Sequence, residues 1–197
     1  MLLYHGTDNC SAENIVTLGI DFRKSDCYTD NARGFYLTND KKFAETRASV
    51  MTFLPQKPVV IEMFFDEDAA GRKLNILRFD DITDEWKFFV AFNRVGSEHL
   101  DLMNLCFSQK IHNLDYFYDV VVDVPADAGI SAVTDRIDRL LDDLDEGRIP
   151  MEAARNEILK NIMSINIGDI DINSKQYSFH TKDSLQYLKM MRISDVA

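Results

Sequence analysis

The sequence predicts an α+β domain, because runs with strand character alternate with capped helical segments but lack the regular spacing of repeated strand–helix–strand units. Two further observations support a single unit. At 197 residues, with 46% of side chains hydrophobic, the chain is long enough for one well-buried core. No internal repeat or low-complexity linker divides it. One domain over residues 1–197 is therefore expected, with a helical insertion at about 131–163.

The first strand is expected at about residues 1–5, leading into a short helix at 11–18 with Ser11 as its N-cap and Gly19 as its stop. After an irregular polar stretch (RKSDCYTDNAR), GFYLT at 34–38 reads as a compact strand. Asn39 is then placed to cap a helix (DKKFAETRASVMTFL) that sets Phe43, Ala44, Val50 and Met51 near one side, with Pro55 and Pro58 ending it. Residues 58–66 (PVVIEMFFD) and 73–79 (KLNILRF) are β-rich. The segment 82–94 (ITDEWKFFVAFNR) has the period of a helix, with Trp86, Phe89, Val90 and Asn93 on one face. A further strand is YDVVVDV at 118–124. Helices at 131–145 and 151–163 are separated by Gly147 and Pro150. A late strand, SKQYSFHT at 174–181, precedes a final amphipathic helix over 182–190.

Composition narrows the function classes. A formal net charge of -11 works against passive attraction to nucleic acid, which relies on surplus Lys and Arg neutralising phosphates. Much of the acid lies at 135–146 (DRIDRLLDDLDE), where Ile137, Leu140, Leu141 and Leu144 recur at helical spacing. This is a helix with a solvated acidic face, or else a docking face for a basic partner. Cys10, Cys27 and Cys106 fit neither a disulfide framework nor a zinc site. His5, His99, His112 and His180 show no H-x-x-x-H spacing, so no metal is expected. No apolar run approaches the roughly 18 residues of a membrane span, and the start lacks an export signal. A cytoplasmic protein without a membrane role is expected.

Three short stretches carry chemistry. His5-Gly6-Thr7 ends the first strand with polar or permissive residues where packing residues would be usual. The strand at 34–38 feeds a capped helix. In the late strand, period-two alternation puts Gln176, Ser178 and His180 on one face and the aromatics Tyr177 and Phe179 on the other. Together these resemble the ADP-ribosyltransferase fold, in the His-Tyr-Glu branch that includes poly(ADP-ribose) polymerases and diphtheria-type toxins. The sequence is most similar to a bacterial family within that superfamily, the DUF3990 proteins. The matching residues are Tyr4-His5-Gly6, the GFYLT block, Glu85-Trp86 with Asn93-Arg94, the strand at 118–122 with Ala126-Asp127, and the run at 176–179.

The resemblance implies split mixed and antiparallel sheets that form an NAD cleft with flanking helices. It implies that His5 hydrogen-bonds the adenosine ribose, a task suited to a neutral imidazole. The backbone of Gly6 would approach the nicotinamide carboxamide, with Thr7 beside it. Tyr36, preceded by Gly34, would stack on the nicotinamide ring, and Phe43 would close the other side or pack as ordinary core. Arg33 would meet the diphosphate or remain an exposed loop arginine. Gln176, Tyr36 and His5 stand as the candidate catalytic residues, with Ser178 also facing the cleft.

One residue departs from the His-Tyr-Glu pattern: Gln176 stands where that branch has a glutamate. Glutamine keeps a hydrogen bond to a ribose hydroxyl but loses the charge, a loss of the kind that costs about 3 to 4 kcal/mol. A glutamate from elsewhere, such as Glu85 or Glu152, is an alternative source of that charge. The expected function is an NAD-dependent mono-ADP-ribosyltransferase acting on a macromolecular acceptor, protein in preference to nucleic acid. As a toxin-like component of a bacterial defence system it would have a cognate antitoxin or inhibitor protein. A non-catalytic NAD or ADP-ribose-binding module and an NAD glycohydrolase are the alternatives.

Overall fold

In the computed structural model, described over residues 1–25, 29–126 and 129–196, the strand-forming runs assemble into one seven-stranded mixed sheet with helices against it. Cys27 and Asp127 lie outside the described residues. In chain order the elements are β1 (Leu2–Asp8), α1 (Asn9–Leu18), β2 (Phe35–Thr38), α2 (Lys41–Met51), β3 (Pro58–Phe65), α3 (Glu67–Ala70), β4 (Ile76–Arg78) and α4 (Asp84–Val95). They continue with α5 (Leu100–Phe107), β5 (Val120–Asp123), α6 (Ile130–Asp145), α7 (Met151–Met163), β6 (Gln176–Phe179), α8 (Lys182–Leu185) and β7 (Leu188–Asp195). A 3-10 turn at Phe22–Lys24 follows α1.

The strands lie in the order β4-β5-β6-β2-β1-β3-β7, antiparallel throughout except for β4 beside β5. Where two separate sheets were expected there is a single one, but it is nearly divided at its centre. β1 is laddered to β3 along its whole length, and β2 to β6 along all of its own. β1 and β2 themselves share one ladder pair, Tyr4 with Thr38. The sheet therefore has a seam between the strand that carries His5 and the strand that carries Tyr36.

Period-two alternation feeds two cores. Leu3, Phe35, Ile61, Phe65, Val120, Val122 and Phe179 pack with Ala12 of α1 on one face. Val121 turns the other way, into a larger core built from Trp86, Phe89 and Phe92 of α4, Ile137 of α6 and Ile158 of α7. Trp86, Phe89 and Val90 are fully buried, as the helical period predicts, and Asn93 is buried with them. The helices expected at 131–145 and 151–163 are α6 and α7.

Several elements differ from the sequence reading. Asp8, not Ser11, caps α1, its carboxylate accepting from both the Ser11 amide and hydroxyl at 2.9 and 2.7 Å. Asp40 caps α2 because Asn39 is occupied in bridging to Asn173 and Lys175. Gly19, at φ 84°, does end α1. In α2 the buried stripe is Ala44 and Ala48, whereas Val50 and Met51 are exposed. Helix α5 is absent from the sequence reading. The expected helix at 182–190 is a single turn, α8, followed by β7, which exchanges local helical bonds for a ladder with β3. Among the described residues no helix is long and apolar enough to cross a membrane. None of them forms a group of three or more His, Cys, Asp or Glu able to hold a metal ion.

Candidate functional site

Gly6 fixes the geometry on one side of the seam. A Cβ there would lie 2.0 Å from the Ala44 carbonyl oxygen, so the backbone of α2 rests directly on the strand. Since Gly6 faces α2, His5 faces the opposite side, where its ring meets Phe35 at a centroid separation of 4.6 Å. Thr7, two residues on, shares that side and pairs with Val59. The His5 ring also reaches across the seam, its Nδ1 lying 2.7 Å from the Tyr36 carbonyl. A carbonyl only accepts, so Nδ1 carries the proton. Burial holds the His5 pKa below its ordinary value, and the neutral ring keeps Nε2 as an acceptor with no partner among the described residues.

Tyr36 and Gln176 lie on the other face, because Tyr36 pairs with Ser178 and Thr38 with Gln176, and paired residues of an antiparallel ladder point the same way. The Tyr36 hydroxyl is committed: it donates to the Ala32 carbonyl (2.6 Å), lies 2.7 Å from Thr29 Oγ1 and accepts from the Asn31 amide (3.1 Å). Burial raises its pKa. The ring thus pins the loop that leads into β2.

That loop brings in a residue the sequence reading passed over. Asp30, nearly buried, accepts from Arg94 Nε (2.6 Å), the Ala126 amide (3.0 Å) and Gln176 Nε2 (3.2 Å). Its backbone carbonyl accepts from Asn93 (3.0 Å). Beside it stands a second carboxylate, Asp123, at the end of β5 and fully buried. Asp123 accepts from Asn31 Nδ2 (3.0 Å) and from the indole N–H of Trp86 (3.1 Å). Burial, followed by the neighbouring charge of Asp30, pushes its carboxyl up to about 7, although hydrogen bonds from Asn31, Trp86 and Gln176 oppose the rise.

Ser178 and His180 complete the cluster. His180 Nδ1 donates to the Arg33 carbonyl (2.9 Å), and Nε2 lies 2.9 Å from Ser178 Oγ, which also accepts from Asn31 Nδ2 at 3.0 Å. Burial lowers the His180 pKa to about 4, so the ring is neutral at pH 7. Gly34 has no side chain because the His180 ring fills the space, 2.8 Å from where a Cβ would stand. Of the five buried side-chain atoms without a partner among the described residues, two are here, Asn31 Oδ1 within the cluster and Arg33 Nε beside it. Buried polar atoms are nearly always paired, so each such orphan calls for a reason. Phe43 stands half-buried in the first turn of α2.

The structure therefore gathers Tyr36, Gln176 and Ser178 on one face and sets His5 and Thr7 on the other, with the seam between them. Two surface depressions, of about 170 and 360 Å³, lie on the α6–α7 lobe and include none of these residues.

The sequence profile described as "Protein of unknown function (DUF3990)" matches residues 1–190. The chain belongs to the DUF3990 family. No curated protein and no solved structure matches it. Trp86, Asn93, Arg94, Gln176 and Ser178, scattered along the chain, all bond within the Asp30–Asp123 cluster or directly to its backbone.

The sequence held one usable signal for this cluster. Asp123 follows three valines of a central strand, and a carboxylate there has to be buried. Asp30 gave no such signal, since an aspartate in a polar loop ordinarily faces water.

Proposed function

We propose that this DUF3990 protein is an NAD-dependent mono-ADP-ribosyltransferase of the cytoplasm that modifies a macromolecule, protein in preference to nucleic acid. It would serve as a toxin-like component of a bacterial defence or toxin–antitoxin pair, with a cognate inhibitor protein. The observation that carries this reading is the seam with an uncommitted acceptor on either side of it. A dinucleotide offers ribose hydroxyls at each of its ends. His5 Nε2, on β1, and Gln176 Oε1, on the strand beyond β2, are side-chain acceptors without a partner among the described residues, one on either side. Arg33, with a buried unpartnered Nε, supplies a donor for the diphosphate.

In the proposed reaction the nicotinamide N-glycosidic bond breaks and nicotinamide departs with the electron pair. The ribose C1′ becomes oxocarbenium-like. A nucleophilic atom of the acceptor then donates its own pair to C1′ and releases a proton. Gln176 Oε1 would hold a hydroxyl of the nicotinamide ribose, and the Tyr36 ring would stack on the nicotinamide. No metal enters this scheme.

A second reading, a non-catalytic NAD or ADP-ribose-binding module, is favoured by the internal use of the Tyr36 and Ser178 hydroxyls. An NAD glycohydrolase would differ in taking water as the acceptor. The deciding experiment is nicotinamide release from NAD by the wild type and by His5→Ala, Tyr36→Ala and Gln176→Ala, with titration calorimetry on the same samples. Release that collapses in the variants is expected. Binding without release, even with cell lysate as a source of acceptors, would leave the binding module, and no binding would remove both.

A further inference from the structure

The carboxyl groups of Asp30 and Asp123 lie beside Gln176, the residue that stands where the His-Tyr-Glu pattern carries a charge. Nε2 of Gln176 donates to Asp30 Oδ2 at 3.2 Å, and Asp123 is the ladder partner of Gln176 between β5 and β6, with its side chain on the same face. An amide that donates to the Asp30 carboxylate has one acceptable orientation, because flipping it would set Oε1 against Asp30 Oδ2, acceptor on acceptor. Arg94 anchors Asp30 from α4, and Trp86 of the same helix anchors Asp123. Both carboxylates are thus held by groups other than Gln176, so the orientation is imposed on the amide.

The geometry points to Asp30 and Asp123 as positioning residues for Gln176: they fix its carboxamide with Oε1 turned away from Asp30, and Asp30 supplies beside it the negative charge that an amide lacks. This rests on the reading in which Gln176 contacts the nicotinamide ribose. It also accounts for glutamine at 176, since a glutamate would be a third carboxylate in the same buried space, and like charges at close range oppose one another's ionisation. The charge that the His-Tyr-Glu pattern carries at this position is here displaced by one hydrogen bond.

The pair is expected to set a pH dependence. The titratable and charged groups around it are Arg94 from α4, the Tyr36 hydroxyl from β2, which burial keeps protonated, and His180 beyond Ser178 at the end of β6. His180 remains neutral down to about pH 4.

The test compares Asp30→Asn, Asp123→Asn, Gln176→Ala, Gln176→Glu and the double variant Asp123→Asn/Gln176→Glu. Nicotinamide release is measured for kcat and KM separately between pH 5 and 9, with thermal melting to confirm that each variant folds. Each Asp→Asn change is expected to lower kcat by about 10²-fold with a smaller effect on KM, as misplacement of a reacting group does. Asp123→Asn should also remove the limb of the kcat profile near pH 7. Gln176→Glu alone should melt lower than the wild type above pH 7, and adding Asp123→Asn should restore both melting and release. Folded Asp→Asn variants with unchanged kcat and pH profile, alongside a Gln176→Ala variant that has lost release, would overturn the positioning role and leave the transferase reading intact. If Gln176→Ala is silent as well, the reading of the site falls and the positioning role with it.

Discussion

Replacing Asp123 with asparagine removes a carboxyl that the fold keeps protonated up to about pH 7. In the unfolded chain the same group ionises near 3.8. Between those values the folded protein holds a proton that the unfolded chain has released. Folding then takes up a proton, and this group's contribution to stability falls as pH rises from about 4 to about 7. Below that window both states are protonated, and above it both are ionised, so the contribution is flat on either side. A displacement from 3.8 to about 7 amounts to about 4 kcal/mol at the full value. Asp123 is fully buried, so solvent screening does not reduce this, but relaxation of the surroundings does, and a change of about 2 to 4 kcal/mol is expected. His180 acts in the opposite sense. Its pKa is lowered from 6.5 to about 4, so the unfolded chain binds the extra proton and stability is lost as pH falls from about 6.5 to about 4. The two slopes overlap, and the wild-type curve by itself does not separate them. The difference between wild type and Asp123→Asn does, because His180 is common to both. Urea denaturation of the two proteins from pH 4 to pH 8 should show the wild type losing about 2 to 4 kcal/mol relative to the variant, with most of the loss complete by pH 7. A constant difference across that range would refute the argument that Asp123 is buried beside the Asp30 charge.

Gly6→Ala should destabilise the fold by at least about 1 to 3 kcal/mol in chemical denaturation, because the new methyl would meet the Ala44 carbonyl oxygen at 2.0 Å and α2 would have to lift from β1. A near-neutral result would mean that α2 does not rest on that strand. Tyr36→Phe should cost about 1 to 3 kcal/mol, since Thr29, Asn31 and Ala32 each lose their bond to the hydroxyl. The ring is retained, so NAD affinity measured by calorimetry should change far less than in Tyr36→Ala if the ring is the part that stacks.

How much of this was legible in the sequence depended on whether local patterns or distant partners decide each feature. The helix α4 and the pair α6–α7 were legible because a period near 3.6 persists over three or more turns, long enough to outweigh local ambiguity. The strands around His5, Tyr36 and Gln176 were found for a related reason, each being a short apolar run flanked by turn or cap residues. The segment ending in β7 failed the same test. Leu185, Leu188 and Met191 recur at a helical spacing, yet what decides their state is the free edge of β3, which pairs with residues 188–195 and is out of sight more than a hundred positions upstream. Val50 and Met51 were misplaced because the buried stripe of α2 is set by Gly6, on which only small residues such as Ala44 and Ala48 can sit.

The site follows the same division. Alternation alone put Gln176, Ser178 and His180 on one face, and the structure keeps them there, buried at 8%, 0% and 6% exposure. What alternation does not reveal is which groups wait behind that face. Asp30 comes from a loop 146 residues before Gln176 and Asp123 from the adjoining strand, and nothing local in either segment announces the other. Two carboxylates are costly to bury together, and the cluster is held by contributions from α4, β5, β6 and the loop before β2. Packing alone would be served as well by apolar residues of similar volume. That a central strand and a polar loop both deliver an aspartate to the back of Gln176 is therefore better explained by what the amide has to do than by what the core needs.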